Sequence, residues 1–254
     1  MARAYYRCPK CGHKPAEAIP ADGQCPACGV YCKKWDAMQA ALDAGEVIGE
    51  KQSSTESLHA LLTQLLAPKT RMAPEIFYSR CATLLFLAVW GWRLIAMDYR
   101  NGEFGNSFMH NILLPIHEAG HVLFMPFGEF LTILGGSFFQ LALPLGIAIA
   151  FVLRNRDNFA AAVCLWWLGA SFLDLAPYVY DALHPQLIML GGHTGEDGPH
   201  DWIYLLECFG QVHRSPAWGF AVHRIGALTS LAGIVWGAVL LWRQRDGVDQ
   251  RTSA

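Results

Sequence analysis

Five long apolar runs dominate the chain between Tyr78 and Trp242, and they restrict the fold more than any other feature. They cover roughly 78–97, 108–127, 130–153, 158–182 and 216–242. A helix needs about 20 predominantly apolar residues to cross the hydrocarbon core of a bilayer, and each run is near that length. In lipid, a spanning segment must satisfy its own backbone polar groups, so the runs read as helices. Composition agrees: 53% of the 254 residues are hydrophobic and only 16% are charged, against about 25% charged in ordinary soluble domains. The expected fold class is an all-α polytopic membrane protein with four to five membrane segments, one of them re-entrant in one reading, and a small N-terminal metal module. The net charge of −2 gives no global basic character, so no nucleic-acid partner is expected. Residues 1–30 lack an apolar signal-peptide core, which leaves the first apolar run as the insertion signal. The expected location is the cell (inner) membrane, multi-pass, with the lipid bilayer as an obligatory partner.

Four zones follow. Residues 1–35 are punctuated by Cys, Pro and Gly; residues 36–77 form a polar linker; residues 78–245 form the membrane-embedded part; residues 246–254 are a tail. In the linker, Leu58, Leu61, Leu62, Leu65 and Leu66 repeat at one-face helical spacing. Ser53 with Glu56 suits a capping box and Pro68 a stop. This helix is expected to pack on a neighbour or to lie on the membrane surface. Trp90, Trp92, Trp166, Trp167, Trp236 and Trp242 suit interfacial belts or packing between helices.

Sidedness is read from Lys and Arg near the ends of runs. Lys69, Arg71 and Arg80 precede the first run, Arg154 and Arg156 follow the third, and Arg243 and Arg245 follow the last. Five crossings would place these clusters on different sides. If 108–127 enters and returns on one side, aided by Pro115, Pro126 and Gly128, all three clusters share the cytoplasm and the 183–215 loop is external. Both topologies stay open at this point.

Five of the eight cysteines lie between Cys8 and Cys32. Cys8-x-x-Cys11 and Cys25-x-x-Cys28, each followed by Gly, are two knuckles whose thiolates can converge on one tetrahedral zinc. So short a segment cannot build an adequate core, so metal binding would supply its folding energy. The stretch resembles zinc ribbons of the rubredoxin-like type. Cys32 is a spare thiol. Reduced thiolates imply a cytoplasmic N-terminus. The ribbon's role is expected to be structural, or that of an adaptor for a regulatory protein partner.

The chemistry centres on His117-Glu118-Ala119-Gly120-His121. Positions i and i+4 share a helix face, so both imidazoles can bind one zinc. Glu118 stands beside that metal as a general base. Ionisable side chains inside an apolar stretch are expensive and point to function.

Residues 108–206 resemble the site-2 protease superfamily, the M50-type intramembrane zinc metallopeptidases, through this motif and, more weakly, through a downstream Asp-bearing segment. Gly135-Gly136-Ser137 is similar to a glycine-rich turn of that superfamily. The resemblance implies hydrolysis of peptide bonds in membrane-embedded or juxtamembrane protein or peptide substrates, with one catalytic zinc held by two His and one Asp; the ribbon would hold a second, structural zinc. Asp174-Leu-Ala-Pro177 stands where the family has Asn-x-x-Pro, and no Leu-Asp-Gly follows at short spacing. Asp201, which opens a new apolar run, is the favoured third ligand; Asp181 is the alternative, followed by His193, His200 or Asp197. His200 is also read as a partner that orients a ligand. Asp174, His110, Asn111 and Gln140 are expected to form hydrogen bonds within the bundle, and His223 and Arg224 to anchor at the interface. Two further functions compete: a zinc-stabilised, non-catalytic membrane scaffold or adaptor, which has no need of Glu118, and a transporter with a broken helix, which the lack of internal repeats disfavours.

Overall fold

The computed structural model describes residues 4–20, 22–43, 62–67 and 72–245. The chain divides into two compact units, 1–60 and 61–254. The linker residues Ser53, Glu56, Leu58, Leu61 and Pro68 lie outside the described residues.

In the first unit, Gly12 and Gly29 follow the two CxxC pairs at φ +73 and +70, a conformation glycine adopts without the Cβ penalty. There the Gly12 N–H donates to the Cys8 carbonyl at 3.0 Å, and the Gly29 N–H to the Cys25 carbonyl at 2.8 Å. Among the described residues of this unit, strand-type pairing consists of two isolated bridges, Tyr5 with Ile19 and Gln24 with Tyr31. Helix α1 (Cys32–Asp43) follows. Cys8, Ile19, Cys25 and Cys32 are buried together, so this core is largely sulfur.

The second unit is helical: α2 (Pro74–Ala96), α3 (Phe108–Phe124), α4 (Glu129–Ala150), α5 (Asn158–Asp181), α6 (Asp201–Cys208) and α7 (Ser215–Gln244). The helix starts are legible in their chemistry. Pro74 opens α2. The Ser107 hydroxyl accepts the His110 N–H at 3.1 Å to cap α3, and Asp157 accepts the Ala160 N–H at 3.2 Å to cap α5. Among the described residues, four helical segments are long and apolar enough to cross a membrane: Pro74–Ala96, Glu129–Asn155, Asn158–Asp181 and Val212–Gln244. The run carrying the His-Glu pair gives only the 17-residue α3 and a 3-10 turn, Met125–Phe127. Pro115 lies inside α3 without ending it; the break comes at Pro126 and at Gly128, whose φ is +96.

Helix α5 is the centre of the unit, and most of its side chains are buried. Helix α7 runs antiparallel along it through glycines seven residues apart. A Cβ on Gly226 would sit 2.8 Å from the Leu173 nitrogen, one on Gly233 2.7 Å from the Trp166 nitrogen, and one on Gly219 2.6 Å from the Tyr180 Cβ. Without them the backbones could not approach so closely. Trp166 is 4% exposed and meets Trp90 at 5.4 Å. These two rings therefore pack between helices, whereas Trp92 and Trp242 face outward at 69% and 61% exposure.

Contacts sort the connections to two ends of the bundle. At one end, Arg80 pairs with Asp157 at 2.8 Å, and Arg243 donates to the Leu66 carbonyl at 3.1 Å. Residues 62–65 are helical, and the carbonyls that follow are taken by the bundle: Asn158 donates to Gln64 and Ala67, and Trp236 to Leu65. This satisfies acceptors that a helix end leaves open, and it ties this stretch to a neighbour rather than to a free surface. At the other end, Tyr99 meets Tyr180 and His223, Gly102 abuts Leu187, and Phe130 meets Phe209. Connections 97–107, 125–128 and 182–214 all belong to this second end. The chain thus leaves α2, forms α3 and enters α4 without visiting the first end, which is the path of the re-entrant reading.

Candidate metal centres and the cleft

Helices α3 and α4 form a tight antiparallel hairpin closed by Gly120, Gly135 and Gly136. A Cβ on Gly120 would strike the Gly135 carbonyl, and one on Gly136 would lie 2.6 Å from Nε2 of both His117 and His121. Gly135 and Gly136 therefore lie within a helix and not in the glycine-rich turn expected. They matter because Gly136 lets both imidazoles approach the backbone of α4.

The two histidines project from one face of α3, with ring centroids 4.8 Å apart. Each has its Nδ1 engaged. His117 Nδ1 lies 3.0 Å from Gln140 Oε1, and His121 Nδ1 lies 2.8 Å from the Thr132 carbonyl oxygen. Both partners are acceptors, so Nδ1 carries the proton and Nε2 presents its lone pair. The Gln140 amide cannot be reversed, because its Nε2 donates to Asp174 Oδ2 at 2.8 Å and toward the Ser171 carbonyl at 3.4 Å, and an ionised carboxylate only accepts. Asp174 is held in turn by His110 Nδ1 at 2.7 Å, and Tyr178 Oη lies 3.4 Å from His110 Nε2. The expected bundle bonds of His110, Asp174 and Gln140 thus form one chain that ends on a candidate ligand. Asn111, by contrast, is exposed.

Asp201 supplies the third donor. Its Oδ2 lies 3.0 Å from His117 Nε2 and 3.1 Å from His121 Nε2, and the three donor atoms fall within 4.8 Å of one another. Zinc with N and O ligands at about 2.0–2.2 Å in a tetrahedron would separate donors by roughly 3.4 Å, so each His–Asp separation fits with a shift of a few tenths of an ångström. Asp181 is not brought to this set. It is buried, and its carboxylate accepts the Gln186 and Leu187 N–H groups at 2.9–3.3 Å, closing the turn after α5. His200 is 3.5 Å from Asp181, and its Nδ1 accepts the Ile203 N–H at 3.3 Å, capping α6. His200 and Asp181 thereby position the helix whose first residue is Asp201. Asp197 lies beside Thr194 instead. His193 lines the cleft, with Nδ1 turned to the Thr194 carbonyl. His223 lies against Tyr99 with ring centroids 4.7 Å apart, and Arg224 is exposed over Phe220.

A cleft of about 250 Å³ contains the His-His-Asp set, together with Glu118, His110, Gln140 and Asp174. Its apolar walls include Leu114, Leu175, Met189, Leu190 and Trp202. Pockets of this kind, apolar with a few convergent polar groups, are where ligands bind.

In the N-terminal unit, Cys8, Cys11, Cys25 and Cys28 also converge within 4.8 Å. Sulfur separations are 3.7 Å for Cys8–Cys28 and 3.8 Å for Cys11–Cys25. A tetrahedron with metal–sulfur bonds of about 2.3 Å has edges of roughly 3.8 Å, so the cluster is already at metal-binding dimensions. Burial alone would raise the Cys8 thiol, but the Cys11 and Lys10 N–H groups and the neighbouring thiols lower it, while Cys28, despite the Val30 N–H, is raised by burial and by those same thiols. Burial pushes the Cys32 thiol up, and that sulfur is not part of the four.

No protein-family model matches the chain, and no curated protein or solved structure matches it either.

Proposed function

We propose that the chain is an intramembrane zinc metallopeptidase of site-2 protease type, with a second, structural zinc in the four-cysteine module. The observation that carries this reading is the convergence of His117, His121 and Asp201 in a cleft that Glu118 also lines. Nε2 of each histidine and a carboxylate oxygen of Asp201 would hold the zinc, leaving a fourth position open, as a catalytic site requires. When bound, zinc supplies a Lewis acid that makes a water nucleophilic at neutral pH and polarises a carbonyl. The Glu118 carboxylate takes a proton from the attacking water as its oxygen bonds to the scissile carbonyl carbon. It then delivers that proton to the amide nitrogen as the C–N bond breaks. Gln140 and the Thr132 carbonyl keep the imidazoles oriented through both steps, and the apolar walls limit access of bulk water. The four helical segments long enough to cross a membrane, two of which, α4 and α5, line the cleft, support a substrate that is itself in or beside the membrane.

Glu118→Gln tests the mechanism. The side chain is nearly isosteric and still accepts a hydrogen bond, but it cannot take a proton. Zinc content is expected to stay at two per chain. Cleavage of single-span peptides reconstituted in liposomes is expected to fall at least ~10²-fold, the lower end for a general base. Equal turnover by the Glu118→Gln protein would refute the mechanism and favour the scaffold reading.

A further inference from the structure

We infer that the cleft is fed from the side of the membrane opposite the basic end of the bundle, so that its substrate is a membrane-anchored polypeptide whose cleavable segment lies at the outer, non-cytoplasmic boundary. This rests on the peptidase reading for the word substrate, and on independent observations for the side.

The first observation is where the cleft lies. Its helical walls come from α3, α4 and α5, and every remaining wall residue comes from 189–202. That stretch belongs to the 182–214 connection, at the end where Tyr99, Tyr180 and His223 meet. No wall residue comes from 62–67, 151–157 or 240–245, which gather at the other end around Arg80 and Asp157. Helix α3 enters from and returns to the cleft end, so the histidines never approach the basic end. Leu190, on the cleft wall, is 65% exposed, so the mouth lies at this connection.

The second observation is charge. Arg80, Arg154, Arg156, Arg243 and Arg245 belong to the first end. In the connections at the cleft end, 97–107 and 182–214, the basic side chains are Arg100 and Arg214 alone, with no lysine. Lys and Arg near the ends of spans are retained in the cytoplasm, and this bias sets orientation. The chain also enters the bundle at the basic end, through residues 62–67, and residues 1–61 contain no apolar run long enough to cross. All these features put the basic end in the cytoplasm and the cleft mouth outside.

The test uses the full chain in spheroplasts of a bacterial host, in a Cys208→Ala background, with a membrane-impermeant maleimide of sufficient mass to shift the band once per cysteine. Leu190→Cys reports on the cleft mouth, Glu196→Cys on the adjoining loop, and Arg154→Cys on the basic end. The Cys208→Ala parent gives the shift due to the remaining native cysteines. Leu190→Cys and Glu196→Cys should each add one shift in intact spheroplasts, and Arg154→Cys only after permeabilisation. Labelling of Arg154→Cys in intact spheroplasts overturns the inference, and so does failure of Glu196→Cys to label there. None of these readouts requires catalysis, so the side can fail while the peptidase reading stands, and a dead enzyme with the expected labelling would leave the side intact.

Discussion

Gln140→Leu should weaken zinc binding at the histidine site by ~10–100-fold while leaving the cysteine site unchanged. Gln140 is 1% exposed and holds the Nδ1–H tautomer of His117 through its Oε1. Without that acceptor, the metal-free protein gains an alternative. His117 can move its proton to Nε2 and donate it to Asp201 Oδ2, already 3.0 Å away. Zinc would have to undo this hydrogen bond. A hydrogen bond to a charged group is worth about 1.5–3 kcal/mol, and about 1.4 kcal/mol is a factor of ten, which gives one to two decades. The same range is found when partners behind metal-bound histidines are removed. Competition with a chelator on the purified full chain would measure both sites at once, with the cysteine site as internal reference. The loss of the Asp174 partner is expected to lower the melting temperature too, so affinity must be read well below it. A histidine-site affinity within twofold of the parent would refute the claim that Gln140 sets the ligand's tautomer.

Asp201→Ala should lose the histidine-site zinc, whereas Asp181→Ala should keep it and lose stability, because Asp181 accepts backbone N–H groups of the turn; metal analysis showing the reverse would exchange their roles. Gly136→Ala places a methyl 2.6 Å from both Nε2 atoms, and strain of about 1–3 kcal/mol should lower zinc affinity there ~10–100-fold; Gly146→Ala, with nothing within 4 Å, is the control. Cys8→Ser combined with Cys11→Ser should remove one zinc of two, and loss of both by elemental analysis would end the two-centre description. Gly226→Leu should disrupt the α5–α7 contact, seen as a fall in the detergent-solubilised melting temperature, and an unchanged melt would show that the glycine spacing is incidental.

What the sequence disclosed depended on the range of the forces involved. Helix positions are set locally by hydrophobicity and capping, so runs at 130–153, 158–182 and 216–242 reappear as 129–155, 158–181 and 215–244 with shifts of a residue or two. The CxxC pairs and the His117–His121 spacing are equally local, because the geometry of a turn or a helix makes the donors converge. Asp201 lies 80 residues beyond His121, and the one local cue that sets it above Asp181 is the apolar run it opens. The packing of α6 over the α3–α4 hairpin brings it to the histidines, and His200, which caps α6 and faces Asp181, helps position that helix. The Gln140–Asp174–His110 chain was hidden for the same reason. Each residue read alone as a polar group needing a partner, and the direction of the chain toward His117 exists only once three helices meet. The α7 glycines at 219, 226 and 233 did carry a local signal: their seven-residue period marks one helix face. A glycine in an apolar run can equally signal a break. Here it is a contact, and it brings α7 onto the central α5 helix that also carries Asp174, the carboxylate on which the orientation of a candidate ligand depends.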